Sequence, residues 1–542
     1  MRAPSSLVPL FVPALALSLC AAPALAAPTA LGALGGGTCR AIDVNDGGAA
    51  IGSCRTGGGD FVPVYWPAAG TGALVLSALR DGGACSAVGI AADGAIGGNC
   101  DWGDSGEQTP VRWPTPSLPS QRPQVLNART GDDRAEAWIV NAAGAVAGIS
   151  TTPGGKDQPV VWKSGQRAAT ALPVPGLLPP LLSPATDCSV VALGPAPTPV
   201  AVGQCELRRG GVAAVQWTPN ALGGYSVSVL PALAAGADCT AAAVNAAGQI
   251  AGTCEDAAGD LAAVRWNDAQ AAPAVLHGLP REAAAGQQLS AVDLNQAGIV
   301  AGHYIDSAGR SRSFVWAPSQ DPASEDALDL GTLGGAAVYA RQIADDGRII
   351  GSAENAQGAE VGFAWGPAAA IAELGTLGGR TNTPAAISRN GLWIVGTSAN
   401  AAGQRQAYRI GPGQRLAAAT RAQPDAALAI GRDRAAARLE SPSSCQDLSA
   451  DCPQMAYLCN NAAYYALMTS QCPKTCSRCP QYPPGGAASL PSGAPLSCED
   501  KTPGCRGRES LCSSSFYQTL MSQQCARTCN LCSRPGGAHW TR

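Results

Sequence analysis

The feature that most limits the folds open to this chain is a hairpin pattern that recurs eight times. In the first copy, from Cys39 to Cys54, two apolar runs flank an Asn-Asp-Gly-Gly turn, and the second run contains a glycine. This glycine recurs at Gly52, Gly98, Gly148, Gly203, Gly252, Gly302, Gly351 and Gly396. The copies are about 43 to 55 residues apart, which is the spacing of propeller blades.

An aromatic residue follows each copy at a similar distance. The eight aromatic residues are Trp66, Trp113, Trp162, Trp217, Trp266, Trp316, Trp365 and Tyr408. Aromatic side chains that recur once per repeat fill the space between propeller blades, so we expect these residues to lie in the core. The alternative is that a few of the tryptophans stack on carbohydrate.

Each copy divides into four short apolar runs, separated by turns rich in Gly, Pro and Asp. In the first copy the runs are Cys39–Val44, Ala49–Cys54, Phe61–Trp66 and Ala73–Leu79. Because 66 of the 542 residues are Gly and 42 are Pro, short strands are favoured over long helices. We therefore predict an all-β fold, with one closed β-propeller over residues 30–420 and eight blades favoured over seven. We expect the segment Leu31–Gly36 to complete the last blade.

The hairpin turns carry residues suited to tight turns. Asparagine starts the turn at Asn45, Asn141, Asn245 and Asn295, and glycine stands three residues later in each. An Asn side chain can cap its own turn, and glycine accepts the left-handed conformation that such turns require. These residues therefore indicate turns, and we favour that interpretation over calcium loops at Asp43 to Gly47 and Asp345 to Gly347.

Four hairpins also have a cysteine in each strand. The pairs are Cys39 with Cys54, Cys85 with Cys100, Cys188 with Cys205, and Cys239 with Cys254. Three pairs are fifteen residues apart and the third in order is seventeen apart, which matches a turn longer by two residues. We predict a disulfide in each hairpin, with either a two-residue loop or a compensating bulge placing the cysteines opposite each other.

The last copies contain a further short motif. Leu330-Gly-Thr-Leu-Gly-Gly335 and Leu374-Gly-Thr-Leu-Gly-Gly379 each precede a hairpin, and Phe363-Ala-Trp365 ends one copy. These segments resemble the HAF-type extracellular repeat of secreted bacterial proteins. The resemblance implies a secreted, propeller-like array and assigns no chemistry to it.

Two clusters of six cysteines follow the repeats and share the spacing C-x6-C-x6-C-x12-C-x3-C-x2-C. Their members are Cys445, Cys452, Cys459, Cys472, Cys476 and Cys479, and then Cys498, Cys505, Cys512, Cys525, Cys529 and Cys532. A duplicated frame of this size predicts two disulfide-stapled modules, at 445–479 and 498–532. The spacing alone leaves fifteen pairings per module. Zinc is disfavoured because neither cluster contains His.

Both modules resemble the sea-anemone-toxin-like ShKT domain. The resemblance implies that the first cysteine pairs with the sixth, the second with the fourth and the third with the fifth. It also implies structural ion pairs between Asp447 and Lys474 and between Asp500 and Arg527. Channel-blocking members carry a Lys-Tyr dyad before the fourth cysteine, where this chain has Ala-Leu and Thr-Leu. We therefore do not expect potassium-channel block.

The N-terminus predicts export. Residues 1–26 combine one early arginine, an apolar run and a small-x-small cleavage site, which is the pattern of a signal peptide. Its removal leaves twenty of the 21 cysteines, an even number that suits an oxidising compartment. We expect a secreted, extracellular protein, with the periplasm or cell surface as alternative destinations. Linkers at 421–444 and 480–497 and a tail at 533–542 separate and follow the modules.

The sequence contains no recognisable catalytic motif. His277, His303 and His539 are the three histidines, and the chain lacks H-E-x-x-H and G-x-S-x-G patterns. The net charge of -3 gives no reason to expect nucleic acid, and no membrane span, metal or cofactor is predicted. We expect a non-catalytic binding or adhesion protein for an extracellular protein or glycan. The alternative is a secreted propeller hydrolase, directed at glycan or peptide, whose acids converge in the channel.

Overall fold

The computed structural model describes residues 27–412, except 36, 103–106, 115–120, 177–184, 209, 277–288, 319–326 and 368, together with residues 474–475. Within these residues the strands form eight four-stranded sheets, each of which is antiparallel throughout. The prediction of an eight-bladed, all-β propeller is therefore confirmed. In the part of the chain that is described, no helix has the length and apolarity needed to cross a membrane.

The first four blades are built from consecutive strands, taken here from the innermost to the outermost. Blade 1 consists of β2 (Cys39–Val44), β3 (Ala50–Arg55), β4 (Phe61–Trp66) and β5 (Leu74–Val75). Blade 2 consists of β6 (Cys85–Ile90), β7 (Ile96–Trp102), β8 (Glu107–Trp113) and β9 (Gln124–Val125). Blade 3 consists of β10 (Arg134–Val140), β11 (Val146–Thr151), β12 (Asp157–Trp162) and β13 (Thr170–Ala171). Blade 4 consists of β14 (Ala185–Leu193), β15 (Ala201–Leu207), β16 (Val212–Pro219) and β17 (Tyr225–Val229).

The last four blades follow the same order, and the final one borrows a strand from the start of the chain. Blade 5 consists of β18 (Cys239–Val244), β19 (Ile250–Glu255), β20 (Leu261–Trp266) and β21 (Ala274–Val275). Blade 6 consists of β22 (Ser290–Leu294), β23 (Val300–Ile305), β24 (Ser311–Trp316) and β25 (Leu328–Asp329). Blade 7 consists of β26 (Gly334–Ile343), β27 (Ile349–Asn355), β28 (Glu360–Gly366) and β29 (Ala369–Glu373). Blade 8 consists of β30 (Gly378–Ile387), β31 (Ile394–Asn400), β32 (Arg405–Ile410) and β1 (Thr29–Ala30).

The N-terminal strand closes the ring. β1 pairs with β32, and the N–H of Leu31 donates to the carbonyl of Ala407 over 2.8 Å. The strand covers residues 29–30, just before the predicted segment, and the next residue, Leu31, is buried. The N-terminal segment therefore supplies the outer edge of blade 8, as predicted, at a slightly earlier position.

One buried leucine follows the outermost strand of every blade. These residues are Leu31, Leu76, Leu126, Leu172, Leu230, Leu276, Leu330 and Leu374, all at most 4% exposed. Each begins the connection to the next blade, so Leu31 holds in the closing segment the place that Leu76 holds after β5. Only three of these leucines belong to a Leu-Gly-x-Leu-Gly-Gly motif, so the sequence motif marked a minority of the positions.

The core lies between neighbouring blades. One cluster, for example, joins Trp66 and Ala41 of blade 1 to Val395 and Ala407 of blade 8. All seven predicted tryptophans are buried, at most 6% exposed, which confirms that they belong to the core. The Trp66 indole Nε1 donates to the carbonyl of Gly32, in the segment that leads into blade 1. In the same way, the Trp113 Nε1 donates to the carbonyl of Ser77, in the connection that leads from blade 1 into blade 2. Tryptophan therefore fastens each of these blades to the connection that precedes it.

The predicted eighth member of the aromatic series, Tyr408, is also buried in the core, but it does not hold the position of the tryptophans. Ile410 pairs with Ile394 as Trp66 pairs with Ala50, so Ile410 holds the tryptophan position in blade 8. Tyr408 lies two residues earlier, opposite Gly396, and a Cβ at that glycine would fall 2.7 Å from the Tyr408 hydroxyl oxygen. In the middle of the second strand, glycine lets an aromatic ring lie against the backbone, since a Cβ at Gly52 would fall 2.8 Å from the Trp66 ring and 1.9 Å from the carbonyl oxygen of Arg40.

Candidate binding site in the axial channel

The innermost strand of each blade is interrupted by a β-bulge close to its turn. The register shifts at an equivalent point in all eight first hairpins, so one residue bulges out of the ladder in each. We call these residues the bulge ring; they are Ile42, Val88, Trp138, Val191, Ala242, Val292, Arg341 and Ala385. The innermost strands contact one another around the ring axis and have no partner on their inner edge. The bulge ring therefore borders the axial channel.

The bulge ring exposes apolar side chains. Ile42, Trp138 and Val191 are 37%, 40% and 38% exposed, and they account for three of the eight large apolar side chains that are exposed in the described residues. Seven ring members are apolar, and the one charged member, Arg341, is also exposed. An apolar surface concentrated in one place on a folded protein commonly marks a binding site.

The aromatic and the charged members stand on opposite sides of the channel. Trp138 belongs to blade 3 and Arg341 to blade 7, which are four blades apart in a closed ring of eight. The Arg341 Nε donates to the carbonyl of Ala385, its neighbour in the bulge ring, over 2.7 Å. This contact joins the guanidinium of blade 7 to the backbone of blade 8.

Two aspartates directly after the bulge connect neighbouring blades. The Asp43 carboxylate accepts the N–H of Val44 (2.8 Å) and, in blade 2, the N–H of Ile90 (3.0 Å). Asp293 accepts the N–H of Leu294 (2.8 Å) and, in blade 7, the N–H of Ile343 (3.0 Å). Both carboxylates thus bind backbone amides that would otherwise lie unsatisfied at the inner edges of the sheets.

The electrostatics of these aspartates follow from their burial. Burial raises the pKa of Asp43 to about 6 despite its two amide hydrogen bonds and the nearby Arg389. Burial also raises the pKa of Asp293, and Arg389 again acts in the opposite direction. One arginine in the turn of blade 8 therefore acts on carboxylates of blades 1 and 6. No hydrogen bond of the Arg389 guanidinium is found within the described part of the chain.

A second pair of acids lies in blade 4, away from the bulge. Asp187 and Glu206 are directly opposite each other on β14 and β15. Burial raises the pKa of both groups, and the charge of Asp187 raises that of Glu206 further. Like charges in directly opposite positions repel, which is why the charge of Asp187 makes ionisation of Glu206 less favourable. The signal in the sequence was weak, because Asp187 precedes a cysteine and Glu206 follows one without any motif.

The turn asparagines cap their turns, as the sequence predicts. The Asn45 Oδ1 accepts the N–H groups of Gly47 (3.1 Å) and Ala49 (3.0 Å). Its Nδ2 then donates to the carbonyl of Ala91 in the next blade over 3.1 Å. The same link runs from Asn141 to Gly194, from Asn245 to Asn295 and from Asn295 to Ala344. This second role joins neighbouring turns, and no sequence signal indicated it.

Disulfides join all four predicted hairpin pairs, namely Cys39 to Cys54, Cys85 to Cys100, Cys188 to Cys205 and Cys239 to Cys254. Partners lie directly opposite each other, because the bulge between each pair and its turn restores the register. The compensating bulge, rather than a two-residue loop, is therefore the correct alternative.

The predicted disulfides and ion pairs of the tail modules lie outside the described residues. This holds for the twelve module cysteines and for Asp447, Asp500 and Arg527; Lys474 is described, but its proposed partner Asp447 is not.

His303 has a structural place between blades 6 and 7. Its Nε2 lies 2.8 Å from the carbonyl oxygen of Ala340, and its ring meets that of Tyr339 edge to face. Burial lowers the pKa of His303, so the ring is neutral at pH 7 and donates from Nε2. His277 and His539 lie outside the described residues.

The described ranges contain no cluster of three or more metal-ligating side chains. The carboxylates of Asp43 and Asp345 accept backbone N–H groups of neighbouring blades, from Ile90 and Gln296 respectively.

Comparison with known families supports the tail modules. A family model described as ShK domain-like matches residues 444–479 and 497–532, which contain the two six-cysteine clusters. An uncharacterized protein of Caenorhabditis elegans is 40% identical over 94 residues, which are 17% of this chain and 56% of that protein. The chain thus spans little more than half the length of this curated relative.

Solved structures resemble the propeller only remotely. The propeller domain of the Trilobed protease from Pyrococcus furiosus has a TM-score of 0.37 and 9% identity, and the match covers 62% of this chain and 97% of that one. A puromycin-hydrolyzing peptidase from Mycobacterium tuberculosis has a TM-score of 0.39 and 11% identity, covering 65% of this chain and 56% of that one. Likenesses this distant carry no argument about activity.

Proposed function

We propose that the chain is an exported binding or adhesion protein, in which the propeller recognises an extracellular protein or glycan and the ShKT-like modules add attachment. The observation that carries this proposal is the contrast within the channel. Apolar side chains of the bulge ring are exposed on the innermost strands, while Asp43 and Asp293, on the same strands, each accept hydrogen bonds from two backbone amides. Exposed apolar groups favour binding, and carboxylates committed to backbone amides are poor general acids or bases.

Export is supported by the cysteines as well as the leader. Four disulfides staple blades 1, 2, 4 and 5, and disulfides of this kind persist in oxidising compartments. Residues 1–26 act in this proposal as a cleaved signal peptide, and the motifs at Leu330 and Leu374 belong to HAF-type extracellular repeats. The mature protein then begins close to β1, which starts at Thr29.

The tandem modules add multivalency. Two ShK-like segments stand on one chain after the propeller, separated by a stretch rich in Pro, Gly and Ser. Once one module is bound, the second binds at the high effective concentration that the linker sets. The modules thus convert weak single contacts into firm attachment.

The test compares three purified proteins on a glycan array and on immobilised extracellular protein: the mature chain, a chain ending at Arg438, and the tail from residue 439. We expect the shortened chain to keep its thermal transition and to bind more weakly than the full chain, while the tail retains weak binding. Equal binding by the full and shortened chains would contradict a role of the tail modules in attachment.

The alternative function, a hydrolase, has one specific observation in its favour, the opposed acids of blade 4. A shared proton would let one of Asp187 and Glu206 act as an acid and the other as a base. Hydrolysis of glycan, peptide or ester substrates by the chain ending at Arg438, abolished in both Asp187→Asn and Glu206→Gln, would replace the binding proposal with this one. A matched variant, Asp256→Asn in the turn of blade 5, should leave any such activity unchanged.

A further inference from the structure

We propose that two copies of this chain associate through the outer edge of blade 4, where β17 pairs with the β17 strand of the second copy across a two-fold axis. The contact lies on the side of the propeller, away from the axial channel. It therefore goes beyond the attachment proposed above and does not depend on the ligand that the propeller recognises.

β17 differs from the outermost strands of the other blades. Six of those strands, namely β1, β5, β9, β13, β21 and β25, have two residues each, whereas β17 has five. β29 also has five residues, but its register with β28 shifts and it ends on Glu373. Folded proteins keep sheet edges from pairing with another chain by short strands, irregularities and charges. β17 has none of these features and pairs regularly with β16 along its whole length.

The hydrogen-bond pattern shows which backbone groups of β17 point outward. Directly after the strand, the N–H of Leu230 donates to the carbonyl of Ala214 in β16 over 2.9 Å. Because hydrogen-bonded pairs alternate along an antiparallel ladder, Ser226 and Ser228 bond to β16, and the N–H and C=O groups of the three other residues point away from it. Within the described residues, no further strand pairs with this edge. The edge thus presents donors and acceptors to an added strand.

A second copy of the same strand fits this edge. When the two-fold axis passes beside Val227, the Val227 residues of the two copies face each other, and Tyr225 of each copy faces Val229 of the other. These are the residues whose backbone groups point outward, so each facing pair exchanges two hydrogen bonds. Ser226 then lies opposite Ser228, and β17 contains no charged residue that would meet a like charge.

The same symmetry covers an exposed apolar side chain. β16 runs two residues past Trp217, and the turn that follows it carries Leu222, which is 96% exposed. The Asn220 Oδ1 holds this turn by accepting two of its backbone N–H groups over 3.1 Å each. When the register is continued beyond the strands, Leu222 of one copy comes to the level of Pro231 and Ala232 of the other. Each copy thus shields the apolar turn of its partner from water.

The size of the contact predicts a weak dimer. Stable interfaces bury at least about 1,000 Å², and two five-residue edges with their turns bury less. We therefore expect a dissociation constant between about 10 μM and 1 mM. Copies attached to a surface lie close together, so pairing is favoured there, and each pair combines the ShK-like modules of two chains.

The experiment is sedimentation equilibrium of the mature full-length protein from about 5 to 300 μM, over which the parent should shift from monomer towards dimer. Ser226→Lys with Ser228→Lys places lysines opposite each other across the axis and should weaken association at least about tenfold. Ser226→Glu with Ser228→Glu should have the same effect. An equimolar mixture of the lysine and glutamate variants should associate at least as tightly as the parent, because opposite charges then face each other.

The matched control is Gln124→Lys with Ala274→Lys, which adds the same charge at exposed positions of the short outer strands β9 and β21. It should associate as the parent does, and thermal melts should show that all variants fold. The proposal is overturned if the parent stays monomeric throughout, if the lysine variant associates as tightly as the parent, or if the mixed variants stay monomeric. No ligand is used, so such a failure leaves the attachment measured above unaffected.

Discussion

The blades divide into two groups that differ in how the first two strands of the blade are held together. Blades 1, 2, 4 and 5 join the first and second strands by a disulfide, and blades 3, 6, 7 and 8 place other residues at the same cross-strand position. Blade 7 has the apolar pair Val338 and Ala353, whereas blade 8 has Asn382 opposite Ser398. The backbone geometry is thus common to all blades, and the chemistry that stabilises it is not.

The blades without disulfides rely on polar contacts and packing. The Asn382 Nδ2 donates to the carbonyls of Leu374 (2.9 Å) and Gly375 (2.6 Å), and Ser398 accepts the N–H of Leu377 over 3.0 Å. In blade 6 the hydroxyl of buried Tyr304 donates to Asp329 of the outermost strand. These contacts tie the hairpin to the connection that precedes it or to the edge of its sheet, whereas a disulfide ties only two neighbouring strands. Blades with a disulfide are therefore stabilised within the first hairpin, whereas blades 6 and 8 are stabilised by contacts between that hairpin and more distant parts of the blade.

The largest effect should come from opening the ring between blade 8, which lacks a disulfide, and blade 1, which has one. Deleting residues 27–37 removes β1, buried Leu31 and the acceptor of the Trp66 indole. We expect a loss of stability beyond the about 2–5 kcal/mol that truncating one buried leucine costs. Thermal melts measure the loss, and a deletion of residues 27–28 alone serves as the control. An unchanged melting temperature in the longer deletion would contradict closure by β1.

Removing a disulfide should have the next largest effect. Cys239→Ala with Cys254→Ala releases the first hairpin of blade 5, and a closed loop of this length contributes about 3 kcal/mol when unstrained. Urea denaturation of the double variant and of the parent gives the difference. Blade 7 holds Val338 and Ala353 at this position, so the variant should still fold. If the difference were close to zero, packing alone would support blade 5, and the distinction between the two groups would lose its energetic meaning.

A smaller effect is expected from the turn of blade 6, where charge supports a blade that lacks a disulfide. Asp306 accepts hydrogen bonds from Arg310 and Arg312 and from two backbone N–H groups, and against the effect of burial these hold its pKa down to about 2. Asp306→Asn should cost about 1–2 kcal/mol, because the turn lies near solvent, which screens the charges.

The matched control for this turn is Asp256→Asn in blade 5, where the aspartate accepts two N–H groups and has no arginine partner among the hydrogen bonds and ion pairs found. Its cost should be smaller than that of Asp306→Asn. Since the pKa of Asp306 is lowered on folding, its contribution is present above the usual value of 3.8 and is lost as the pH falls towards 2. Equal costs for the two variants would show that the arginines add nothing.

The smallest effect concerns the buried aspartate of blade 1, and it has the opposite sign. The pKa of Asp43 is raised on folding, so the folded state binds the proton more tightly than the unfolded state does. Its contribution to stability is therefore present below 3.8 and is lost as the pH rises through about 6. Asp43→Asn should flatten the dependence of unfolding free energy on pH across this window in urea titrations. An unchanged slope would mean that Asp43 stays ionised throughout.

Local features of the sequence predicted much of the fold. The turn asparagines, the paired cysteines and the recurring tryptophans each act within one blade or between neighbours, so their spacing indicated strands, disulfides and core directly. The tail modules were equally visible, because six cysteines in about 35 residues leave few other interpretations. The eighth aromatic was misassigned, since an aromatic two residues earlier gives almost the same pattern.

What the sequence determined by itself is the blade: its four strands, its turn, its disulfide where one exists and its number of copies. These follow from residues close together in the chain, for which periodicity and spacing are informative. Only the tertiary structure decided which residues of different blades lie near one another around the axis and at the junction of blade 8 with blade 1. Trp138 and Arg341 become opposed, the charge of Arg389 acts on carboxylates of blades 1 and 6, and β1 pairs with β32, because ring closure brings together residues from distant parts of the chain. A bulge also interrupts the alternating pattern in the innermost strand of each blade, so strand periodicity could not indicate which residues form the bulge ring.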